Sequence, residues 1–388
     1  MKLLSKLSHF DVDYIDSKKK ILALDGLRGF AVLLVVFFHC FGFTKLSYFG
    51  WMGVDLFFVL SGFLITGILI DVKHKKDYYR NFFGKRVLRI FPLYYLVLFI
   101  ITISSYLSFF NTDFKFIIPN PYYWLYLQNW QITFTGKFSE ENAILGHFWS
   151  LAVEEQFYIF WPFIVKNLKI KPLIITIISF IILAVIIRFF LLANNNIGYY
   201  VNTFARFDAL CIGSLIAVLI RFKKQVLNKY TVLVTIVSGF FIIFNAMFNG
   251  PFFSHPVMAR FGFTLVAFFW GSILLYAISD KTIFSKIFSW RFLTFFGKYS
   301  YGLYVYHAMI YILLIDTVSK FITTGNFIHG SLISVLASFI IVLLSILMSI
   351  VSYHLFENYF LRFKKYFHND YNAHPVTIHA VETAVAQK

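Results

Sequence analysis

Long apolar runs recur along this chain, and they constrain its fold more than any other feature. The runs at 173–192 and 331–352 reach the ~18 predominantly apolar residues that a helix needs to cross a hydrocarbon core about 30 Å thick. The chain has 388 residues, of which 59% are hydrophobic and only 14% are charged. That leaves too little polar surface for two or three soluble domains. The sequence therefore predicts an all-α, polytopic transmembrane helical bundle.

The hydropathy along the chain predicts about ten transmembrane helices. The predicted spans are 29–46, 52–71, 91–108, 148–165, 173–192, 206–220, 231–248, 260–278, 299–317 and 331–356. We expect a basic cytoplasmic segment at 1–20, a transmembrane domain at 21–362 and a cytoplasmic tail at 363–388. No small-residue cleavage site follows the first apolar run, so we interpret that run as an uncleaved signal anchor.

Positive charge is segregated to alternate connections between the predicted spans. Lysine and arginine concentrate before the first span, between the second and third, and after the fourth, sixth, eighth and tenth. The positive-inside rule then places both termini in the cytoplasm, and we expect the bilayer to be a bacterial inner membrane. The net charge of +17 forms no groove-sized patch with interleaved aromatic residues. We therefore expect a lipid bilayer and no nucleic acid as partner.

The two cysteines offer no metal or disulfide chemistry. Cys40 and Cys211 both lie inside apolar runs, without the spacing of metal ligands or of a disulfide framework. The sequence therefore predicts no metal site.

Ionisable side chains inside the predicted spans are functional candidates, because a charge at membrane depth costs roughly 3 kcal/mol or more. Arg28 lies at the cytoplasmic end of the first span, and His39 follows eleven residues later. The two share a helical face and lie about 16 Å apart along the axis. His39 is either a general base near the middle of the membrane or a core histidine in a packing hydrogen bond.

Three further groups of polar residues occur at membrane depth. Asp55, near the outer start of the second span, is either catalytic or a favourable charge at a helix N-terminus. The fourth span carries a stripe, spaced three and four apart, of His147, Ser150 and Glu154. Glu155 adjoins it, and two carboxylates about 10 Å deep indicate either function or pairing with an arginine of another helix. The ninth span presents Ser300, Tyr304 and His307 on one face, for chemistry or for packing.

A cationic cluster precedes Pro92 at the inner entrance of the third span, and consists of Lys85, Arg86 and Arg89. The cluster either anchors the span by the positive-inside rule or binds phosphate. In the second case Arg86 and Arg89, three residues apart, present two guanidinium forks to one ligand.

These motifs resemble those of the acyltransferase-3 family of integral membrane O-acyltransferases. They recur in order at 24–31 with His39, 53–63, 85–92, 128–130, 147–158, 297–304 and 356–357. The resemblance therefore covers essentially residues 20 to 362. It implies transfer of an acyl group, usually acetyl from cytoplasmic acetyl-CoA, to a hydroxyl of an extracytoplasmic glycan or lipid-linked sugar. Some members carry an appended extracytoplasmic hydrolase-like domain, for which this sequence has no room.

The resemblance also implies roles for the candidate residues. It suggests His39 as the base, with either Asp55 or Glu154 orienting it. The expected donor-binding residues are Arg28, Lys85, Arg86 and Arg89. The expected supporting polar residues are Ser61, His147, Ser150, Glu155, Tyr304, His307 and Glu357. Acetyl-CoA, or another acyl-CoA, would be a substrate, with no permanently bound cofactor. The acyl group either passes directly to the acceptor or rests first on His39 or Ser61.

Two other classes of membrane protein remain as alternatives. A secondary transporter also places ionisable residues near the midplane, but often builds its site from inverted repeats, and none is visible here. A non-catalytic scaffold would bury polar groups without a chemical use for them. The transporter is the alternative that we retain.

Overall fold

The computed structural model describes residues 21–106, 120–138, 144–279, 282–323 and 327–367. Within these ranges the chain is helical, with no strand, so the all-α class is confirmed. The long helices are α1 (Leu22–Cys40), α2 (Met52–Asp71), α3 (Tyr78–Tyr106), α4 (Trp149–Asn167), α5 (Ile170–Ala193), α6 (Thr203–Phe222), α7 (Lys224–Asn249), α8 (Phe263–Ile278), α9 (Arg291–Thr323) and α10 (Phe327–Ser352). Short helices are Pro121–Trp124, Gln128–Thr135, Gly198–Val201, Ile283–Phe288 and Asn358–Leu361. Single turns of 3₁₀ or π geometry are Ser47–Trp51, Gly146–Phe148, Met258–Gly262, Tyr353–Glu357 and Arg362–Tyr366.

Each predicted span coincides with one of the long helices, and eight helical segments of the described chain are long and apolar enough to cross a membrane. The protein is thus an integral membrane protein with a polytopic helical bundle, whereas the count of ten spanning helices is not confirmed. The two helices below this standard are α4 and α9. Both carry polar side chains of the site described below. The predicted basic segment 1–20 and the tail beyond 367 lie outside the described residues.

The third helix begins earlier than its predicted span. The prediction, made from hydropathy, was a membrane span at 91–108, with Lys85, Arg86 and Arg89 at its inner entrance. In the structure α3 begins at Tyr78 and continues through Pro92. Arg86 and Arg89 therefore lie inside α3, on a rigid element.

Helices α2 and α6 cross at a contact that admits only glycine. A Cβ atom on Gly62 would lie 1.9 Å from the Leu210 carbonyl oxygen, and one on Gly213 would lie 2.0 Å from the Val59 carbonyl oxygen. Small residues let membrane helices approach closely and gain van der Waals contact. The two glycines therefore fix the register of α2 against α6.

Helices α1 and α9 meet in the same way. A Cβ atom would lie 1.9 Å from the Leu293 carbonyl oxygen at Gly29, and 1.9 Å from the Asp25 carbonyl oxygen at Gly297. This contact holds α1, which carries His39, directly against α9.

Two buried ion pairs connect helices α2, α5, α6 and α8. Arg206 Nη2 donates to Asp55 Oδ1 at 2.5 Å, and Arg188 Nη1 donates to Asp208 Oδ2 at 2.7 Å. Thr264 Oγ1 accepts from Arg188 at 2.5 Å and donates to Asp208 at 2.6 Å. All four charged side chains are essentially unexposed. Breaking either pair would leave an uncompensated buried charge.

A hydrogen-bond network fastens the short helix Gln128–Thr135 to α4. Gln156 Nε2 donates to Asn129 Oδ1 at 2.9 Å, and Trp130 Nε1 donates to Gln156 Oε1 at 2.9 Å. Gln128 Nε2 donates to the Phe148 carbonyl oxygen at 2.8 Å. The turn that carries His147 is thereby held at the start of α4.

Candidate functional site

Two cavities lie in the bundle on either side of a thin wall. The arginine cavity is lined by Arg28, Val54, Phe57, Phe58, Ser61, Leu64, Arg86, Arg89, Ile90, Ser150, Leu151, Glu154, Tyr158, Ser300, Tyr301 and Tyr304. The histidine cavity is lined by Val35, Phe38, His39, Trp51, Val54, Phe138, Gly146, His147, Trp149, Tyr200, Phe253 and Tyr304. Val54 and Tyr304 occur in both linings, so we call these two residues the septum.

The arginine cavity holds three guanidinium groups at its wall. Arg28 Nη1 donates to Asp25 Oδ1 at 3.3 Å, within one turn of α1. The Arg86 guanidinium lies 4.7 Å from the centre of the Tyr158 ring. Within the described residues, neither Arg86 nor Arg89 forms a salt bridge. Their planar forks are therefore available to an anionic ligand, and guanidinium suits bidentate binding of phosphate.

Two lysines are relevant to the positive charge of this cavity, one predicted as a donor-binding residue and one not. Lys85, predicted to bind the donor, does not line the cavity. Lys364, which the sequence analysis counted only as topological charge, interacts electrostatically with Arg89, Arg86 and Arg28. The basic residues at 362–365 are visible in the sequence as a cluster. Nothing in the sequence, however, indicates that this cluster lies beside α3.

Glu154 faces the arginine cavity and not the histidine cavity. Ser61 Oγ donates to Glu154 Oε1 at 2.5 Å, which joins α2 to α4. The neighbouring Glu155 is buried, lines neither cavity, and has one carboxylate oxygen without a hydrogen-bond partner in the described structure. Glu357 is also buried away from both cavities, where it accepts a hydrogen bond from Ser352 Oγ at 3.3 Å.

Hydroxyl groups tie the septum to the start of α4. Tyr304 Oη donates to the His147 carbonyl oxygen at 2.8 Å. Ser150 Oγ lies 2.5 Å from the same phenol oxygen and 3.3 Å from the His147 carbonyl oxygen. Val54 supplies the apolar part. Val54 and Tyr304 are thus the described residues that the linings of the two cavities share.

The hydrogen-bond partners of the His39 ring indicate which of its nitrogens carries the hydrogen. His39 Nδ1 lies 3.0 Å from the Val35 carbonyl oxygen and 3.1 Å from His307 Nε2, while His307 Nδ1 lies 3.0 Å from the Leu303 carbonyl oxygen. A carbonyl oxygen can only accept, so we assign the hydrogen of each neutral ring to Nδ1. The His307 Nε2 lone pair then accepts from His39. His39 Nε2 keeps its own lone pair, as a general base requires.

The group that orients His39 is therefore His307. The sequence analysis suggested Asp55 or Glu154, and the structure places neither beside His39 Nδ1. Asp55 is bound to Arg206 and lines neither cavity, and Glu154 lies on the other side of the septum. The sequence placed His307 on the polar face of α9 but carried no signal for the crossing with α1. A chemical role for the two carboxylates stays a prediction.

His147 completes a group of three histidines. Its ring centre lies 6.4 Å from that of His39 and 5.1 Å from that of His307. Neither of its ring nitrogens has a hydrogen-bond partner in the described structure. Among the described residues no group of three or more ligating side chains has the geometry to hold a metal ion.

Residues 21–354 match the model of a family described as an acyltransferase domain. The chain belongs to this acyltransferase-3 family. The resemblance predicted from the motifs is thereby confirmed.

Three curated relatives within the acyltransferase-3 family are bacterial proteins. The chain is 30% identical over 372 residues to the O-acetyltransferase OatA of Staphylococcus aureus, covering 88% of this chain and 57% of the relative. It is 31% identical over 381 residues to the peptidoglycan O-acetyltransferase OatA of Listeria monocytogenes, covering 90% and 58%. It is 29% identical over 316 residues to the putative peptidoglycan O-acetyltransferase YrhL of Bacillus subtilis, covering 76% and 49%. The chain thus matches about half of the length of these relatives, from 49% to 58%. No solved structure matches it significantly.

Proposed function

We propose that this chain is a membrane O-acetyltransferase, which moves an acetyl group from acetyl-CoA to a hydroxyl of a cell-envelope glycan. The observation that carries the proposal is the pair of cavities, one lined by arginines and the other by a histidine with a free lone pair, separated by two side chains. The names of two relatives point to peptidoglycan as the glycan class.

The arginine cavity is the proposed donor site. The phosphates of coenzyme A are matched by Arg28, Arg86 and Arg89, since an arginine fork binds two phosphate oxygens at once. The thioester end of the donor then extends towards the septum, along the mostly apolar side chains of α2. Acetyl-CoA is a cytoplasmic metabolite, so this cavity faces the cytoplasm in our proposal.

The histidine cavity is the proposed acceptor site. His39 Nε2 takes the proton of the acceptor hydroxyl as its oxygen attacks the thioester carbonyl carbon. The resulting imidazolium donates its Nδ1 hydrogen to the Val35 carbonyl oxygen and to His307 Nε2. When the tetrahedral intermediate collapses, the carbon–sulfur bond breaks. The coenzyme A thiolate then recovers the proton from His39 Nε2.

This route transfers the acetyl group directly. An acetyl group placed on Ser61 would lie in the arginine cavity and would still have to cross the septum. The Ser61 hydroxyl is also engaged with Glu154. We therefore propose His39 as the base and Ser61 as a residue that holds the Glu154 carboxylate.

The proposed location is the inner membrane of a bacterium, with both termini in the cytoplasm. The support is the segregation of lysine and arginine to alternate connections, which the positive-inside rule assigns to the cytoplasmic side. Reporter fusions at both ends of the full chain test this orientation. Reporters active only on the outer side would contradict it.

The function is tested with the full chain in isolated membranes, radiolabelled acetyl-CoA and peptidoglycan fragments. We expect an alkali-labile acetyl ester on the glycan, and no ester with His39→Ala at an equal amount of folded protein. A secondary transporter would instead show flux of a solute without a new ester. Full activity of His39→Ala would exclude His39 as the base.

A further inference from the structure

The chain after α10 folds back onto the first turns of α3. Its short elements at 353–366 pack against that helix, and the last of them is the 3₁₀ turn Arg362–Tyr366, which we call the basic turn. Phe367 fastens this turn to α3. A Cβ atom on Gly84 would lie 2.2 Å from the Phe367 ring, and the Arg80 guanidinium lies 5.9 Å from the centre of the ring. The ring therefore occupies a notch that a glycine leaves open in α3.

This contact places the basic turn at the arginine end of the arginine cavity. Gly84 precedes the two α3 arginines by about 3 Å and 7.5 Å along the helix axis. Further along α3, the Ile90 carbonyl oxygen accepts a hydrogen bond from Tyr301 Oη at 2.7 Å. Since α9 begins beside the arginine-bearing end of α1, the septum residue Tyr304 lies further from that end than Tyr301 does. The basic turn and the septum therefore lie at opposite ends of this cavity.

Lys364 is the residue of the basic turn that lies beside the arginines. Its side chain is partly buried and interacts electrostatically with all three arginines of the cavity, and also with Lys85. The next residue, Lys365, is exposed, and its ammonium group lies 5.1 Å from the centre of the Tyr366 ring. No salt bridge within the described residues includes Lys364. Positive charge from two separate parts of the chain thus converges at this end of the cavity.

The acidic side chains nearby offset only part of this charge. Asp25 forms a salt bridge with Arg28 at 3.3 Å. Glu154 faces the cavity, and Glu357 is buried and interacts electrostatically with Arg89. In the described structure none of these three carboxylates forms a salt bridge with an α3 arginine or with the basic turn. Because like charges at short range repel one another, a bound polyanion would stabilise this end of the cavity.

We propose that Lys364 binds the phosphate on the ribose of coenzyme A, and that Phe367 positions it by holding the basic turn on α3. The inference rests on the proposed function and names the part of the donor that this turn recognises. Along the donor the thioester comes first, then the diphosphate, then the ribose with its own phosphate. With the thioester at the septum, the diphosphate reaches the arginines and the ribose phosphate reaches the basic turn. That phosphate carries about 1.5 to 2 negative charges at neutral pH, which a lysine ammonium offsets.

The test compares acetyl-CoA with acetyl-3′-dephospho-CoA, which lacks only the ribose phosphate. Both are offered, with peptidoglycan fragments, to the full chain in nanodiscs of zwitterionic phosphatidylcholine. In the unaltered chain the KM of the dephospho donor should be about tenfold higher than that of acetyl-CoA. Lys364→Ala should raise the KM of acetyl-CoA about tenfold and leave that of the dephospho donor unchanged. An equal rise with both donors would overturn the proposal.

The neighbouring lysine provides a matched control. Lys365→Ala removes the same charge from the same turn, but from an exposed side chain. We expect it to change the KM of neither donor, whereas Lys364→Arg keeps the charge and should retain the preference for acetyl-CoA. If Lys365→Ala lost this preference as fully as Lys364→Ala, the effect would be attraction by net charge, and the proposal would be wrong.

Phe367 is a positioning residue, and its role has a separate readout. Phe367→Ala empties the notch at Gly84, so it should raise the KM of acetyl-CoA but not that of the dephospho donor. Combined with Lys364→Ala it should add no further rise, because both changes remove the same interaction. Phe363→Ala removes another ring of the basic turn, one that packs on Tyr359, and serves as the control. An unchanged donor preference in Phe367→Ala would contradict the positioning role.

An anionic lipid headgroup offers similar phosphate chemistry to a lysine near the membrane surface. Repeating the comparison in nanodiscs that contain phosphatidylglycerol distinguishes the two sources of phosphate. If Lys364 binds coenzyme A, the preference for acetyl-CoA persists in both kinds of nanodisc. If Lys364→Ala changes both donors alike, and only with phosphatidylglycerol present, the lysine binds lipid and the proposal is overturned.

A binding measurement separates this inference from the proposed function. Isothermal titration calorimetry compares the affinities of coenzyme A and 3′-dephospho-CoA for the unaltered chain and for Lys364→Ala. If a preference for coenzyme A is present and requires Lys364, but no ester forms from acetyl-CoA, the proposed function fails and the inferred site stands. If an ester forms while Lys364→Ala behaves as Lys365→Ala does, the inferred site fails and the function stands.

Discussion

At the scale of single residues, His39 is defined by what surrounds its Nδ1 hydrogen. The Val35 carbonyl oxygen and His307 Nε2 both accept it, at 3.0 and 3.1 Å. In many hydrolytic sites a carboxylate orients the catalytic histidine. Here a neutral imidazole does so, and the described residues that line the histidine cavity carry no negative charge.

Removing the His307 acceptor should slow the chemical step without weakening either substrate. We expect His307→Phe to lower kcat about tenfold to a hundredfold, because the His39 ring loses one partner that holds its tautomer. In His307→Gln the side-chain carbonyl oxygen can accept from His39 Nδ1, so much of kcat should return. The measurement is kcat and both KM values in nanodiscs. Equal loss in both variants would show that His307 acts only through packing.

The arginines of α3 offer a comparison within one helix. Arg86→Ala and Arg89→Ala should each raise the KM of acetyl-CoA by about tenfold or more, because a hydrogen bond to a charged group contributes about 1.5–3 kcal/mol. Lys85→Ala removes a charge from the same helix, but from a side chain that does not line the cavity. The control should change the donor KM far less. Similar effects for all three would mean that the charges act only as membrane anchors.

At the scale of helices, the site depends on two close crossings. Glycines at α1 against α9 and at α2 against α6 let backbone approach backbone. The first crossing brings His39 to His307, and the second holds the helix that carries Val54 and Ser61.

The α2–α6 crossing can be tested with one methyl group. In Gly213→Ala the new carbon would lie 2.0 Å from the Val59 carbonyl oxygen, so the helices must separate. We expect a loss of about 1–3 kcal/mol, seen as a lower Tm in detergent. Gly239→Ala on α7 is the matched control, since its nearest contact is an ordinary 3.7 Å to Phe269. A Tm for Gly213→Ala equal to that of the control would contradict this crossing.

The sequence predicted individual helices better than their contacts. Apolar runs are local, so each predicted span falls on a helix, and α3 extends beyond its predicted span because its first turns are basic and not apolar. The cavity residues Ser150 and Tyr304 were likewise found from polar spacing along single helices, and Ser61 from the resemblance to the family. The partners of His39 and Asp55 lie 268 and 151 positions away in sequence. The spacing of polar residues along one helix carries no information about which other helix it crosses. These pairings could therefore not be predicted.

At the scale of the whole molecule, the two cavities meet only at the septum among the described residues. A thioester bound by the arginines and a hydroxyl beside His39 must therefore come together at Val54 and Tyr304. The Tyr304 phenol is held there by the His147 carbonyl oxygen at 2.8 Å, so the Val54 side chain is the part of the septum without a hydrogen bond.

A larger side chain in the septum should keep the thioester and the acceptor hydroxyl apart. We expect Val54→Phe to lower acetyl transfer by roughly tenfold or more while acetyl-CoA binding is retained, because a misplacement of about 1 Å can cost a hundredfold in rate. Ile68→Phe enlarges an exposed side chain of the same helix that lines neither cavity, and it serves as the control. The measurement is transfer rate and donor affinity for both variants. Unimpaired transfer in Val54→Phe would place the route elsewhere.

We propose that donor and acceptor reach His39 from opposite faces of the membrane. The most direct measurement uses sealed proteoliposomes of known orientation, with radiolabelled acetyl-CoA on one side only and peptidoglycan fragments on the other side only. We predict labelled ester on the glycan, with free coenzyme A appearing on the donor side, and neither product with His39→Ala. Ester formation only when both substrates share one compartment would contradict the account.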